Sequence, residues 1–153
     1  MEEKDLNLYR SLNKNRVKYL LVGGVAAILY GSPRITKDTD IFIERDPKNA
    51  GRLPRALKDI GFRTTYLTIP RKKPENEVSI FKDYIFLDVL TKVKGIDFKS
   101  AWKRRKIKYL RGVRVPLICM EDLILSKKEV GRSIDREDIK IFRKIKKIRA
   151  NAT

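Results

Sequence analysis

Histidine and glutamine are missing from this 153-residue chain, and cysteine occurs once, at Cys119. Without histidine there can be no Ser–His–Asp or Cys–His activation of a nucleophile, and nearly all zinc-hydrolase ligand sets are excluded. A lone cysteine allows no internal disulfide and no cysteine-based zinc site. Long apolar runs are also lacking. The longest, over residues 19–30, is interrupted by Gly23 and Gly24 and falls short of the roughly 18–20 residues that cross a bilayer. The opening MEEKDLN is acidic and polar, unlike a secretory leader. A cytoplasmic protein with no membrane association is therefore expected, and its catalysis must rest on carboxylates, lysine, arginine, hydroxyls or the single thiol.

What the chain has in abundance is positive charge. Lysine and arginine total 37 against 19 acids, for a net charge of +18, while 42% of residues are hydrophobic. Such an excess suits polyanionic partners: nucleotides, nucleic acid or an acidic protein. It equally suits a thermophilic cytoplasmic protein, whose composition favours charged residues over thermolabile amides. The length fits one domain over residues 1–153 with a sizeable core.

Periodicity predicts an amphipathic helix over 4–14 and a buried strand over 17–22 that runs into Gly23-Gly24. A small apolar helix over 25–30 follows, broken by Gly31-Ser32-Pro33. A strand is expected over 40–43, then a helix over 49–60 with Gly61 at its C-terminal end. Three more strands are read at 62–69, 77–81 and 84–93, the first two joined by a polar turn at 70–76. A hairpin turns at Arg111-Gly112 between 107–110 and 113–117, and helices over 121–130 and 135–148 close the chain. The fold class is α/β (α+β), strands mixed with helices rather than a strict βαβ repeat.

The chemistry concentrates between residues 21 and 41. Gly23 and Gly24 stand between a buried strand and a helix, where free backbone N–H groups can face an anion. Taken alone, the glycines also fit a tight strand-to-helix turn. Neither the dinucleotide G-x-G-x-x-G nor the P-loop motif occurs anywhere in the chain. Asp38 and Asp40, two apart at the mouth of a strand, point to one face with Cα atoms roughly 6–7 Å apart. That spacing suits one shared Mg²⁺, or two metals about 3.5–4 Å apart; an Asx turn or strand cap would use the same residues. Asp88 lies in the apolar run YIFLDVL, where an ionised carboxylate needs a cation or strong donors. Either a metal shared with Asp38 and Asp40 or a salt bridge would supply one.

The stretch LLVGGVAAILYGSPRITKDTDIFI resembles the signature of DNA polymerase beta-like nucleotidyltransferases: a hydrophobic strand, a glycine pair, a gap, then Asp-x-Asp. Gly31-x-x-Arg34-x-Thr36-x-Asp38 is similar more narrowly to the abortive-infection toxin and minimal nucleotidyltransferase branch. So is the tail, where Asp122-Leu123-Ile124, Lys127, Arg132, Asp135 and Asp138 resemble that branch's D-L-I-x-x-K and R-x-x-D patterns. Thr39 departs mildly, standing where a hydrophobic residue is commoner. The resemblance implies a mixed central sheet flanked by helices, with closing C-terminal helices. It also implies transfer of a nucleotide from a nucleoside triphosphate to a hydroxyl on protein, RNA or a small molecule. Asp38, Asp40 and Asp88 would then be catalytic and hold Mg²⁺ or Mn²⁺, while Gly23 and Gly24 would cradle the triphosphate. Arg34, Lys127 and Arg132 would contact phosphate, with Asp138 orienting Lys127 or Arg132. A helix–helix ion pair is the alternative for Lys127 and Asp138, and a helix cap for Asp135. The branch also brings a cognate toxin or antitoxin partner into consideration.

Residues 98–114 contain eight lysines and arginines and no acid, with Trp102 and Tyr109 among them. Rings interleaved with cations suit stacking and phosphate contacts to tRNA or another nucleic acid; a solvated face with Trp102 tucked into the core is the structural alternative. A catalytically silent relative that binds nucleic acid or a partner protein through this basic face is the second functional expectation.

Overall fold

The computed structural model describes residues 2–62, 77–82 and 85–152. Its elements, in chain order, are α1 (Glu3–Lys14), β1 (Tyr19–Val22), α2 (Gly23–Leu29), β2 (Asp38–Ile43), α3 (Pro47–Asp59), β3 (Glu77–Lys82) and β4 (Ile85–Leu90). They continue with α4 (Phe98–Lys103), β5 (Lys106–Leu110), β6 (Val113–Leu117), α5 (Met120–Val130) and α6 (Ser133–Asn151). The expected strand over 62–69 and the turn at 70–76 lie outside the described residues, apart from Phe62, which is buried.

The described strands form one six-stranded sheet in the order β3-β4-β2-β1-β6-β5. β1 runs antiparallel to β2 and parallel to β6, β2 runs parallel to β4, and hairpin partners β3 and β5 form the edges. β1 sits inside the sheet with all four residues buried, which is why its sequence is apolar throughout instead of alternating. β2 alternates at its start and then turns wholly apolar, the pattern of a strand that leaves solvent as it enters the core.

Local chemistry sets the helix ends. In α1 the Asp5 carboxylate accepts from the Glu2 backbone N–H at 3.1 Å, and Leu6, Leu8, Tyr9 and Leu12 pack inward. Asp46 caps α3 by accepting from the backbone N–H groups of Lys48 and Asn49, and Pro47 starts the helix without wasting a donor. Gly61, at φ +89°, ends it. Arg111 and Gly112 both have positive φ, 48° and 81°, as a two-residue type I′ hairpin turn requires.

Two boundaries and one helix depart from the periodicity reading in ways that bear on the site and its surroundings. β2 begins at Asp38, so both acids belong to the strand proper. α2 begins at Gly23, so the glycine pair is the first turn of the helix. α4, capped by Asp97 accepting from Ser100 N–H, falls in a stretch read only as basic; a six-residue helix is too short to show periodicity.

Candidate active site

Gly23 and Asp40 meet in van der Waals contact. Gly23 has φ +67°, and a Cβ there would collide with Asp40 Oδ2. β1 and β2 force this approach, because Val22 is the register partner of Asp40 and Gly23 follows it immediately. Across the parallel β2–β4 pairing, Asp40 lies opposite Asp88. Parallel neighbours share a face, and Asp38 shares it by the two-residue period. All three carboxylates line one polar cavity of about 250 Å³, together with Gly24, Arg34, Thr36, Leu90 and Arg132. Thr39 points the opposite way, buried beside Tyr9 of α1.

An Asx turn does not account for the Asp pair. The turn before β2 is made by Thr36, whose Oγ1 accepts from the Asp38 N–H at 3.3 Å. Nor does a salt bridge account for Asp88: neither it nor Asp38 pairs with a described cation. Carboxylate oxygens are the hard donors that a divalent cation of the Mg²⁺ kind takes. Among the described residues, no three carboxylates close around a single point. The set is open, and further ligands would have to come from the substrate or water.

Behind this cavity lies a buried network of charge. Lys127 of α5, 4% exposed, places its Nζ 3.2 Å from Asp135 Oδ1 and 3.0 Å from Asp138 Oδ2, both on α6 and at most 2% exposed. Asp135 also accepts from Arg132 Nε at 2.7 Å. Asp138 accepts from Ser32 Oγ at 2.7 Å and faces Arg34 Nη1 at 3.6 Å. The helix–helix ion pair is thus real, and Lys127, buried within it, still lines a cavity with Gly23, Asp40 and Arg132. Asp138 orients Lys127 and Arg34, while Arg132 is held by Asp135. Asp135 is a buried ion-pair residue, not a cap: α6 has its N-cap at Arg132, with no side-chain capping bond. Burial opposes its ionisation, but hydrogen bonds from Arg132 and Lys127 hold the carboxyl below the ordinary value. Hydrogen bonding to Asp135 conversely raises Arg132.

Arg34 reaches across the first turn of α2, so that a Cβ on Gly24 would clash with its Nη2. Arg132, Leu90 and Asp40 also border a second cavity of about 460 Å³, walled by Val22, Val93, Leu123 and Val130 and edged by Lys92 and Lys94. The two cavities form a cleft with an acidic, arginine-lined part and an aliphatic part. Residues 3–151 match the sequence profile of a family described as nucleotidyltransferases of unknown function (DUF6036). The chain belongs to this nucleotidyltransferase family. No curated protein sequence matches it significantly.

Solved structures place the nucleotidyltransferase in the same fold. A Thermotoga maritima protein named as a candidate nucleotidyltransferase superposes with a TM-score of 0.63 at 15% identity, covering 90% of this chain and 88% of that one. An antigenic nucleotidyltransferase-like protein from Paracoccidioides brasiliensis gives 0.54 at 19% identity, over 91% of this chain and 75% of the other. The mixed sheet with flanking helices is the architecture they share. Among the described residues, no helix of the nucleotidyltransferase is long and apolar enough to cross a membrane.

Sequence reasoning missed Ser32, Lys92 and Lys94. Ser32 looked like part of a helix-breaking triplet, yet it is buried and donates to Asp138. The two lysines follow the Asp88 strand in a stretch with no motif of its own. Trp102 follows the structural alternative and packs, half-buried, against the core. Phe98 stacks on it at 5.8 Å and the Arg105 guanidinium lies over the ring at 3.9 Å, so its faces are covered. Of the rings in the basic stretch, Tyr109 is the one left open, 65% exposed.

Proposed function

We propose that the protein transfers a nucleoside monophosphate from a nucleoside triphosphate to a hydroxyl acceptor on protein, RNA or a small molecule, using Mg²⁺ or Mn²⁺ held by Asp38, Asp40 and Asp88. The supporting observation is the strand register that sets Asp40 beside Asp88 on one face, directly against Gly23.

In this reading the glycine turn lets the triphosphate approach the backbone, where a side chain would exclude it. Arg34 and Arg132, held by Asp138 and Asp135, present guanidinium groups to the phosphate oxygens with little freedom left to lose. Lys127 stands behind them and sets the positive potential of the wall. Asp88 accepts the proton of the attacking hydroxyl; that oxygen bonds to the α-phosphorus, and pyrophosphate departs with the electrons of the broken P–O bond. When bound, the ion supplies charge neutralisation at the α-phosphate. The aliphatic part of the cleft shields the nucleoside from water.

The test is incubation with radiolabelled nucleoside triphosphates and Mg²⁺ or Mn²⁺ against RNA and protein acceptors, beside Asp40→Asn. Metal-dependent label transfer that disappears in the variant is the expected result; transfer that survives it removes the proposal. The second reading, a silent fold acting only by binding, draws on the open carboxylate set. It forecasts no transfer to any acceptor despite retained binding. A toxin–antitoxin role predicts tight co-purification with the product of an adjacent gene, and separate behaviour of the two would refute it.

A further inference from the structure

We infer that the outer edge of the β5–β6 hairpin is a docking surface for single-stranded nucleic acid, distinct from the carboxylate cleft and independent of whether transfer occurs there. β5 is the last strand of the sheet, so among the described residues its outer side has no strand partner. Lys106 and Lys108 point to one face of this edge and Tyr109 to the other. Arg114 is the register partner of Tyr109, which sets a guanidinium beside an exposed ring on the same face. Arg111 occupies the turn, and Lys103 ends the adjoining helix.

The charges here lack the compensation found elsewhere. Lys103, Lys106, Lys108, Arg111 and Arg114 are all exposed, and none makes an ion pair with a described residue. On the long basic helix α6, Lys140 pairs with Glu137 and Lys146 with Glu121, while Arg143, Lys144 and Lys147 are exposed without a described acid but have no exposed ring among them. Like charges on neighbouring strand positions repel, so an uncompensated group is destabilising until an anion arrives. The platform is also held in place. Arg104 is fixed to Asp122 by two hydrogen bonds of 3.0 Å, and Arg105 lies on Trp102 while donating to its carbonyl at 2.8 Å. Two members of the basic run are therefore spent on rigidity, and the remaining cations face outward.

An accessible ring with Arg114 beside it, on an edge whose other face carries Lys106 and Lys108, matches a strand whose bases are unstacked and free to lie on the ring while its phosphates run along the edge. A duplex would engage the phosphates and leave Tyr109 idle. A lipid surface would call for apolar residues to insert beside the cations, and Tyr109 is the single large exposed ring of the hairpin.

The experiment is fluorescence anisotropy with a labelled oligomer of about 20 nucleotides, longer than the ~4–16-nucleotide footprint of one single-strand-binding domain. RNA and DNA of one sequence, the corresponding RNA duplex, and phosphatidylserine vesicles are compared across a salt series. One variant carries Lys103→Gln, Lys106→Gln, Lys108→Gln and Arg111→Asn; its control carries Lys140→Gln, Arg143→Gln, Lys144→Gln and Lys147→Gln, with the same loss of charge. Binding to single strands should weaken about 10-fold or more in the first variant, with a log–log salt slope flatter by roughly 3, and should change little in the control. Tyr109→Ala should lose about 5-fold or more on single strands. Asp40→Asn should bind like the wild type, whatever its transfer activity. A preference for RNA over DNA would assign the ligand to RNA, and equal binding to any single strand; both support the surface. Equal losses in the two quadruple variants would reduce the effect to net charge and overturn it. So would duplex binding as tight as single-strand binding, indifference to Tyr109→Ala, or binding to vesicles in place of oligomers. Thermal melts of each variant identify any loss due to unfolding, and Tyr109→Ala, which leaves the charge intact, keeps the test decisive in that event.

Discussion

At the scale of single residues, Gly23 and Asp40 form the tightest constraint in the candidate site. Alanine at position 23 would have to adopt φ +67° and intrude on the Asp40 carboxylate. The left-handed backbone alone costs about 1–2 kcal/mol. Gly23→Ala should therefore lower the melting temperature and also weaken Mn²⁺ binding measured by calorimetry, because relief comes from pushing Asp40 off its strand position. Asp40→Asn separates the two effects. It keeps the shape and removes the charge, so it should retain stability while transfer falls on the order of 10²-fold or more in the labelling assay. The two aspartates of β2 were readable as a pair from their spacing alone. Their company was not: nothing within residues 38–40 says that Asp88, nearly fifty positions away, is the register neighbour of Asp40.

At the scale of elements, α5 and α6 are joined by buried charge where most helix pairs use apolar contacts. Removing Lys127 would leave Asp135 and Asp138 buried without their shared cation, a loss of about 3–5 kcal/mol for a broken buried pair. Lys127→Met should show it as a lower urea midpoint. Asp135 also gives the helix pair a pH dependence of known sign. Its folded carboxyl is held below the ordinary aspartate range, so its contribution is complete above the unfolded-chain value and fades as pH falls through the folded one. Stability measured from pH 6 down to pH 2 should decline, and Asp135→Asn should flatten that decline while starting lower. Most elements were legible because each carries its own punctuation: Asp46-Pro47 opens α3, and Arg111-Gly112 turns the hairpin. α4 was not legible. Six residues give no period, and its burial comes from Phe98 stacking on Trp102 and meeting Phe42 edge-on.

For the molecule as a whole, a net charge of +18 means that folding concentrates like charge. Moderate salt screens that repulsion, because the Debye length shrinks to about 8 Å at physiological ionic strength. The melting temperature should accordingly rise between low salt and physiological salt in differential scanning fluorimetry. The same screening should weaken polyanion binding, so stability and binding are expected to move in opposite directions.

The resemblance carried by the glycine pair and Asp-x-Asp brought the nucleotidyltransferase reading, and periodicity the mixed α/β class, without coordinates, because those signals are local: a turn, a strand period, a motif. Tertiary structure alone decided which charges meet. It moved Asp135 from a helix cap into a buried pair with Lys127, and gave Arg34 to Asp138. Those outcomes depend on which elements pack together: Lys127 and Asp135 sit on different helices, and Arg34 lies far from Asp138 in the chain. In a sequence with 37 cations, many pairings satisfy each acid equally well until packing brings one within reach.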